Sequence, residues 1–268
     1  MWGVERPSWA TDDVDLSRPS VARVYDYFLG GSHHFEVDRQ MAEQLLRMAP
    51  DTPDVMRTNR SFLRRVVHFM VDQGINQFLD IGSGIPTVGN VHEIAQAADP
   101  LARVVYVDKD PVAVAHGRHV LADNPNAAVI GGDLADPEPI LGAAETARLL
   151  DLSQPVGLLC VAVLHFLSEA DNPYAAMDTL RTAIAPGSFL AISHAMPGRP
   201  EIDDMKAAYT RASPLSERRP EQIARFFGDF ELIAPGLVYP SLWRPTSPDD
   251  VDEHPERAPG LVGVGRKR

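Results

Sequence analysis

The sequence predicts an α/β fold: a seven-stranded, mostly parallel sheet that ends in a C-terminal antiparallel hairpin and is preceded by a helical cap. Three observations carry this expectation. Residues 1–75 hold helical patterns and no β-rich run. From Gln77 onward, short β-rich runs alternate with helical stretches, and such alternation implies crossover connections and a parallel sheet covered on both faces. The last two β-rich runs follow one another with no helical pattern between them, which predicts one antiparallel strand.

Taken in order, residues 1–19 are polar and proline-bearing and read as a flexible lead-in. The stretch PSVARVYDYFLGG has helical character and a Gly-Gly stop, and VDRQMAEQLLRMAP is a second amphipathic stretch ended by Pro50. A third helix spans about 54–73, with Phe62, Val66, Phe69 and Met70 on one face and Gly74 closing it. These three make a cap over 20–75. The sheet domain, 76–268, reads QFLDIG, a helix over about 88–98, RVVYVD, a helix over about 111–122, AAVIGGD, a helical stretch around 137–150 and VGLLCVAVL. A helix at 173–184, GSFLAISH, helices near 202–212 and 219–227, FELIAPGLV and GLVGVGRKR complete it, with TSPDDVDEHPERAP (246–259) as the polar loop of the hairpin.

Composition narrows the function classes. A chain of 268 residues fits one large domain, or one domain with an appendage. No run of about 18 apolar residues is present, so no membrane span is expected. The N-terminus lacks the apolar centre of a signal peptide, so the cytoplasm is the expected compartment. A net charge of −12 argues against a non-specific grip on nucleic acid, because phosphate backbones are held by clustered cations. Short basic groups such as Arg64–Arg65 and Arg218–Arg219 read as solvated helix faces. The single cysteine, Cys160, lies in an apolar run and reads as a buried packing thiol.

The chemistry begins at FLDIGSGIPTVGN (78–90), where a strand runs into the Gly82–Ser83–Gly84 turn. In open α/β sheets, ligands sit beyond the carboxyl ends of the strands. The first three predicted strands each end in an acid, Asp80, Asp108 and Asp133, and together these would line one crevice. For a nicotinamide dinucleotide the pattern fails: Thr87 stands where a third glycine is required, and Asp80 would face a diphosphate. Two unit charges about 4 Å apart exchange roughly 4 kcal/mol at a partly buried site, and here the sign is repulsive. The same carboxylate suits a ligand with an ammonium group and no phosphate, and S-adenosylmethionine is such a ligand.

The stretches ARVYDYFLGG, NRSFLRRVV, QFLDIGSGIPT, NVHEIAQ, RVVYVDKDPVAVAHGR and AVLHFL, with a Leu-Trp-Arg-Pro run near the end, occur in order along the chain. On these motifs the sequence resembles a class I S-adenosylmethionine-dependent methyltransferase, with its Rossmann-like sheet. More narrowly it resembles an actinobacterial "S-adenosyl methyltransferase" family formerly of unknown function. The resemblance implies that Gly82, Ser83 and Gly84 let the backbone approach the methionine part, with Asp80 holding the amino group. It implies that Asp108 grips the ribose hydroxyls and Lys109 borders the adenine. Asp133 and the Leu134 backbone would read the adenine edge, and Ala162 and the turn to His165 would close the floor. The family's Gly-Gly segment usually continues Lys-Asp-Asn-Phe, whereas Gly31 is followed here by Ser32, His33, His34 and Phe35.

Methyl transfer from a sulfonium needs alignment and exclusion of water, and it needs a base only when the acceptor is still protonated. Strand 4 is followed by VAVLHFL and lacks the Asn/Asp-Pro-Pro-Tyr run of enzymes that methylate amino groups of DNA bases and glutamine. Cys160 lies inside the strand, which argues against cytosine carbon methylation. A small molecule with an oxygen or nitrogen nucleophile is the expected acceptor; the alternative is a non-catalytic, regulatory binder of the same cofactor. His165 is the candidate base, or else a structural histidine, and His194 could flank the acceptor or cap a helix. Tyr25 and Tyr27 are an aromatic lid over the cofactor or core anchors. His33, His34, Glu36 and Asp38 do not have the spacing of a metal site, and no metal is expected.

Overall fold

The computed structural model describes residues 15–86, 89–197 and 215–268. The helix expected near 202–212, Thr87, and most of the 1–19 lead-in lie outside these residues.

Seven strands form one sheet in the order β3-β2-β1-β4-β5-β7-β6. The strands are β1 (Gln77–Ile81), β2 (Arg103–Asp108), β3 (Ala127–Gly131), β4 (Gly157–Val161), β5 (Phe189–Ala195), β6 (Glu231–Leu232) and β7 (Gly260–Arg266). The first five are parallel, and β7 lies antiparallel between β5 and β6. The order reverses beside β1, so a crevice opens between the ends of β1 and β4, where this class of sheet binds ligands. Three helices precede the sheet: α1 (Val21–Phe28), α2 (Glu36–Met48) and α3 (Thr52–Asp72). Within it follow α4 (Val91–Ala98), α5 (Pro111–Val120), α6 (Glu138–Leu141), α7 (Ala144–Leu149), α8 (Pro173–Ala183) and α9 (Pro220–Ala224).

The two-residue alternation of the strands sorts the core into two layers. Leu79, Ile81, Val105, Val107, Leu158 and Cys160 face one side. Phe78, Val104, Tyr106 and Leu159 face the other, where Phe62, Val66 and Met70 of α3 cover them. By packing, α3 is thus a layer of the sheet domain, although the sequence grouped it with the cap. The helices α1 and α2 build a small cluster of their own on Val24, Phe28, Met41 and Leu45, against which Met56 of α3 packs.

Other departures have local causes. FELIAPGLV yields a strand of only two residues, since Pro235 cannot donate to a ladder, and Val238 makes a lone bridge to Val262. Strand β4 stops at Val161 because Ala162 takes a positive φ of 58° and a short 3-10 turn, Leu164–Phe166, follows. Arg65 and Arg218 are buried, against the reading of solvated faces. Arg65 donates from Nε to the Trp243 carbonyl (2.9 Å) and from Nη2 to the Pro240 carbonyl (2.6 Å), so the Leu-Trp-Arg-Pro run is a latch onto α3. Cys160 is fully buried with its sulfur 3.9 Å from that of Met177, and burial pushes its thiol pKa up, as a packing thiol requires.

Candidate functional site

Strand alternation places Asp80 on the same face of β1 as Phe78, and Asp108 on the same face of β2 as Tyr106, so both carboxylates look toward the α3 side. They meet there in a cleft of about 450 Å³, closed from above by α1 and its lead-in. Asp133, past the end of β3, lines the same cleft, so the three strand-end acids converge.

Their environments differ. Asp80 is 5% exposed, and among the described residues no donor reaches its carboxylate. Burial first, with the neighbouring Asp108 charge adding to it and Arg60 opposing, raises its pKa to about 7. Asp108 is 8% exposed and therefore not the exposed strand end that its sequence position suggests. Its Oδ2 accepts from Gly84 N (2.7 Å) and its Oδ1 from Asp110 N (2.8 Å). Burial lifts its pKa to about 6 against these two hydrogen bonds. Asp133 is exposed, and its Oδ1 accepts from Ala135 N (3.0 Å). Lys109 Nζ stands 3.9 Å from Asp133, while Leu134 beside it is buried.

The glycine turn is fixed by the sheet. Gly82 N and Ser83 N both donate to the Val107 carbonyl (2.8 and 3.0 Å), which ties the turn to β2. Gly82 has φ of 70°, and a Cβ there would come within 2.3 Å of Val163, so only glycine fits.

Sequence reasoning missed several lining residues. Arg60 of α3 reaches the cleft beside Asp80; its Nη2 donates to Asn90 Oδ1 (3.0 Å), and its buried Nε has no partner. Asp26 of α1, 2% exposed, also lines the cleft and accepts from His33 N (2.8 Å), with its other oxygen unpartnered. Asp110 caps α5 through Val112 N (2.8 Å) and accepts from Ser20 Oγ, while Arg23 pairs with Asp38 (2.8 Å), so the start of α1 is latched to the sheet domain. The family-type DYFLGG run is explained by Gly31, whose Cα lies against the Asp26 carboxylate too closely to admit a Cβ.

A second cavity of about 510 Å³ adjoins the first. Val21, Tyr25, Asn59, Ala162 and Phe166 line both, so they form the neck between them. Tyr25 is held there by Asn59 Nδ2 (3.1 Å) and donates to the Met56 carbonyl (3.2 Å). Tyr27, two residues on and thus on another side of the helix, packs edge-on to Phe28 and His34 in the α1–α2 cluster and does not line the cleft. The polar hairpin loop, read from sequence as a connection only, forms one wall of the second cavity through Asp252, Glu253 and His254.

Both histidines of this region line the second cavity. Arg218 Nη1 lies 3.1 Å from His194 Nε2 and can only donate, so the His194 proton sits on Nδ1 and is given to the Ala195 carbonyl (2.7 Å). Burial lowers its pKa to about 4. Ala195 N donates to His165 Nδ1 (3.4 Å), which places that ring's proton on Nε2. Burial, then His194 and Arg218, hold His165 well below the usual histidine range, so it is neutral. His33 stacks on His116 (3.6 Å between centroids) and His34 Nε2 contacts the Gly31 carbonyl (3.1 Å). No group of metal-ligating side chains occurs among the described residues.

The strand order, the acid-lined crevice at the reversal and the antiparallel closing strand define a class I methyltransferase. The chain belongs to the S-adenosyl methyltransferase family, whose model matches residues 7–268. It is therefore an S-adenosylmethionine-dependent methyltransferase. Among solved structures it is similar to a candidate methyltransferase of Thermobifida fusca YX, with 42% identity, 97% of this chain and 99% of that one covered, and a TM-score of 0.90. It is likewise similar to a DUF574-family protein of Streptomyces avermitilis MA-4680, with 35% identity, 95% and 99% coverage and a TM-score of 0.90. No curated protein matches. No described helix is long and apolar enough to cross a membrane.

The residues of the first cleft fit this cofactor. An undonated buried carboxylate at Asp80 suits an ammonium, and the orphaned Nε of Arg60 beside it suits the carboxylate of the same amino acid end. A diphosphate would instead face Asp80 and Asp108 together.

Proposed function

We propose that the protein transfers the methyl group of S-adenosylmethionine to an oxygen or nitrogen nucleophile of a small molecule held in the second cavity. The junction of the two cavities at Tyr25, Asn59 and Ala162 carries this reading, because it joins a cofactor cleft to a second, half-open space of ligand size. A purely regulatory binder has no need of that second space.

In this reading Asp80 and Arg60 hold the amino acid end, the Gly82–Gly84 turn lets the backbone approach it, and Asp108 takes the ribose hydroxyls. Lys109, Asp133 and Leu134 border the adenine. When bound, the cofactor supplies an activated methyl group on sulfur. The protein's part is then to aim the nucleophile and exclude water, which α1 does by roofing the cleft and the neck. His165 forms the cavity floor as a neutral ring. The test is incubation with methyl-labelled cofactor and the small-molecule fraction of an actinobacterial cell extract. A labelled product below about 1 kDa is expected, from the ligand size that a cavity of this order accepts. Label that enters only macromolecules, or no product while the cofactor binds, would refute the reading.

A further inference from the structure

Whether the nucleophile is oxygen or nitrogen is decided by what the neck offers. Of the five residues shared by the two cavities, only Tyr25 and Asn59 carry polar side-chain atoms. Tyr25 has one hydroxyl proton, and it goes to the Met56 carbonyl, so the hydroxyl must accept from Asn59 and the amide of Asn59 must present Nδ2 to it. That orientation leaves Asn59 Oδ1 without a partner among the described residues, as a fixed hydrogen-bond acceptor at the place where the two cavities meet.

Among the described residues shared by the two cavities, no side chain offers a lone pair that can take a proton. Burial raises the pKa of the Tyr25 hydroxyl, which is un-ionised and already donating. His194 has both ring nitrogens engaged, one by a guanidinium and one by a carbonyl. His165 keeps its proton on Nε2, because a backbone N–H occupies Nδ1, so towards the cavity it can only donate. Carboxylates do line the second cavity, Asp51, Asp54, Glu217, Asp252 and Glu253, but none of them is among the residues of the neck. Asp51, at the start of α3, stands eight residues before Asn59, or about 12 Å along the helix axis, and Asp54 about 7.5 Å. Asp252 and Glu253 lie on the exposed hairpin loop. A general base must come within about 3 Å of the proton it removes.

Resting on the second cavity as the acceptor site, we propose that the acceptor is an amine with an apolar body. An amine that arrives as an ammonium can lose its proton to water, as an alcohol cannot, and once neutral it needs no further base before attack. One N–H donated to Asn59 Oδ1 fixes the nitrogen and turns its lone pair toward the cofactor cleft. The nitrogen lone pair forms the new N–C bond, the S–C bond breaks with its electron pair left on sulfur, and the positive charge passes from sulfonium to the N-methyl ammonium product. That product leaves as the ammonium. The second cavity fits the cationic form in which such a molecule arrives and departs: five carboxylates and one guanidinium, Arg257, line it among the described residues. Phe166, Met56 and Leu261 supply the apolar wall. An alcohol or phenol would meet an acceptor oxygen at the neck and no base among the described residues there.

The experiment uses the full chain with cofactor labelled by carbon-13 in its methyl group and the same cell-extract fraction, with the product read by carbon–proton correlation spectroscopy. An N-methyl resonance is expected, with the matched pair phenethylamine and 2-phenylethanol as defined probes; the amine should turn over at least tenfold faster. Asn59→Leu should lose at least tenfold in kcat with cofactor affinity within about twofold, while Asn59→Asp, which retains an acceptor oxygen, should recover part of the rate. With amines of different basicity, the pH-rate profile should follow the pKa of each amine. An O-methyl product, or equal rates for amine and alcohol, would overturn the amine assignment and leave the acceptor cavity standing. Cofactor binding by calorimetry with no labelled product of any kind would overturn the acceptor-site reading itself.

Discussion

Asp80 is a buried carboxylate with no donor among the described residues, and its cost and its use can be measured separately. In the ligand-free protein it titrates near pH 7, so it is about 90% ionised at pH 8 and about 10% at pH 6. A ligand ammonium requires the ionised form. Cofactor affinity should therefore fall roughly tenfold between pH 8 and pH 6, or about 1.4 kcal/mol, with a further factor of about two from Asp108, which titrates near 6. Binding at pH 6 should release about 0.9 proton from Asp80 and about 0.5 proton from Asp108. The stability sign is opposite to that of a salt-bridged acid: a carboxylate whose folded pKa is raised keeps its proton longer in the folded state. Stability of the ligand-free protein thus falls as pH rises from about 4 to 7, by an amount on the order of 4 kcal/mol for a shift of this size. Asp80→Asn should then raise the Tm of the ligand-free protein at pH 8, leave it nearly unchanged at pH 4, and abolish tight, pH-dependent binding. Calorimetry in buffers of different ionisation enthalpy, with thermal melts at both pH values, checks each part. A wild-type affinity that is flat from pH 6 to 8, or an Asp80→Asn variant that melts lower than wild type at pH 8, would refute the reasoning.

Two further outcomes are expected. Asp108→Ala should weaken cofactor binding by roughly 2–4 kcal/mol, from the loss of two charge-assisted hydrogen bonds, and should also lower the Tm because Gly84 N and Asp110 N lose their acceptor; an unchanged dissociation constant would remove β2 as the ribose strand. Hydrogen exchange over residues 20–40 should slow on cofactor addition, because Val21, Ala22 and Tyr25 line the cleft and the Ser20–Asp110 contact latches its roof; equal rates with and without cofactor would leave α1 as ordinary packing.

The periodicity of the chain was sufficient to read the parallel sheet, the closing antiparallel strand and the three acids at strand ends, because each of these is a local pattern of side chains along one segment. The failure of the dinucleotide pattern was equally local, since the charge of Asp80 and the missing third glycine lie within a few residues of each other. Tertiary structure alone decided what those segments face. Arg65 finds its acceptors 175 and 178 residues away, and nothing near Arg65 in sequence marks it as buried. Arg60 and Asn59 are adjacent on one helix, yet the first reaches the cleft beside Asp80 and the second the neck, a division set by how α3 lies across the sheet. Tyr25 and Tyr27 were indistinguishable as letters and are separated by the turn of α1. The proton on His165 and the one on His194 were fixed by a backbone N–H and a guanidinium brought from other strands and turns. A hydrogen-bond donor acts only over about 3 Å, so which lone pairs remain at the neck between the two cavities is settled by packing, and the sequence could name the cofactor but not the groups that meet at the neck.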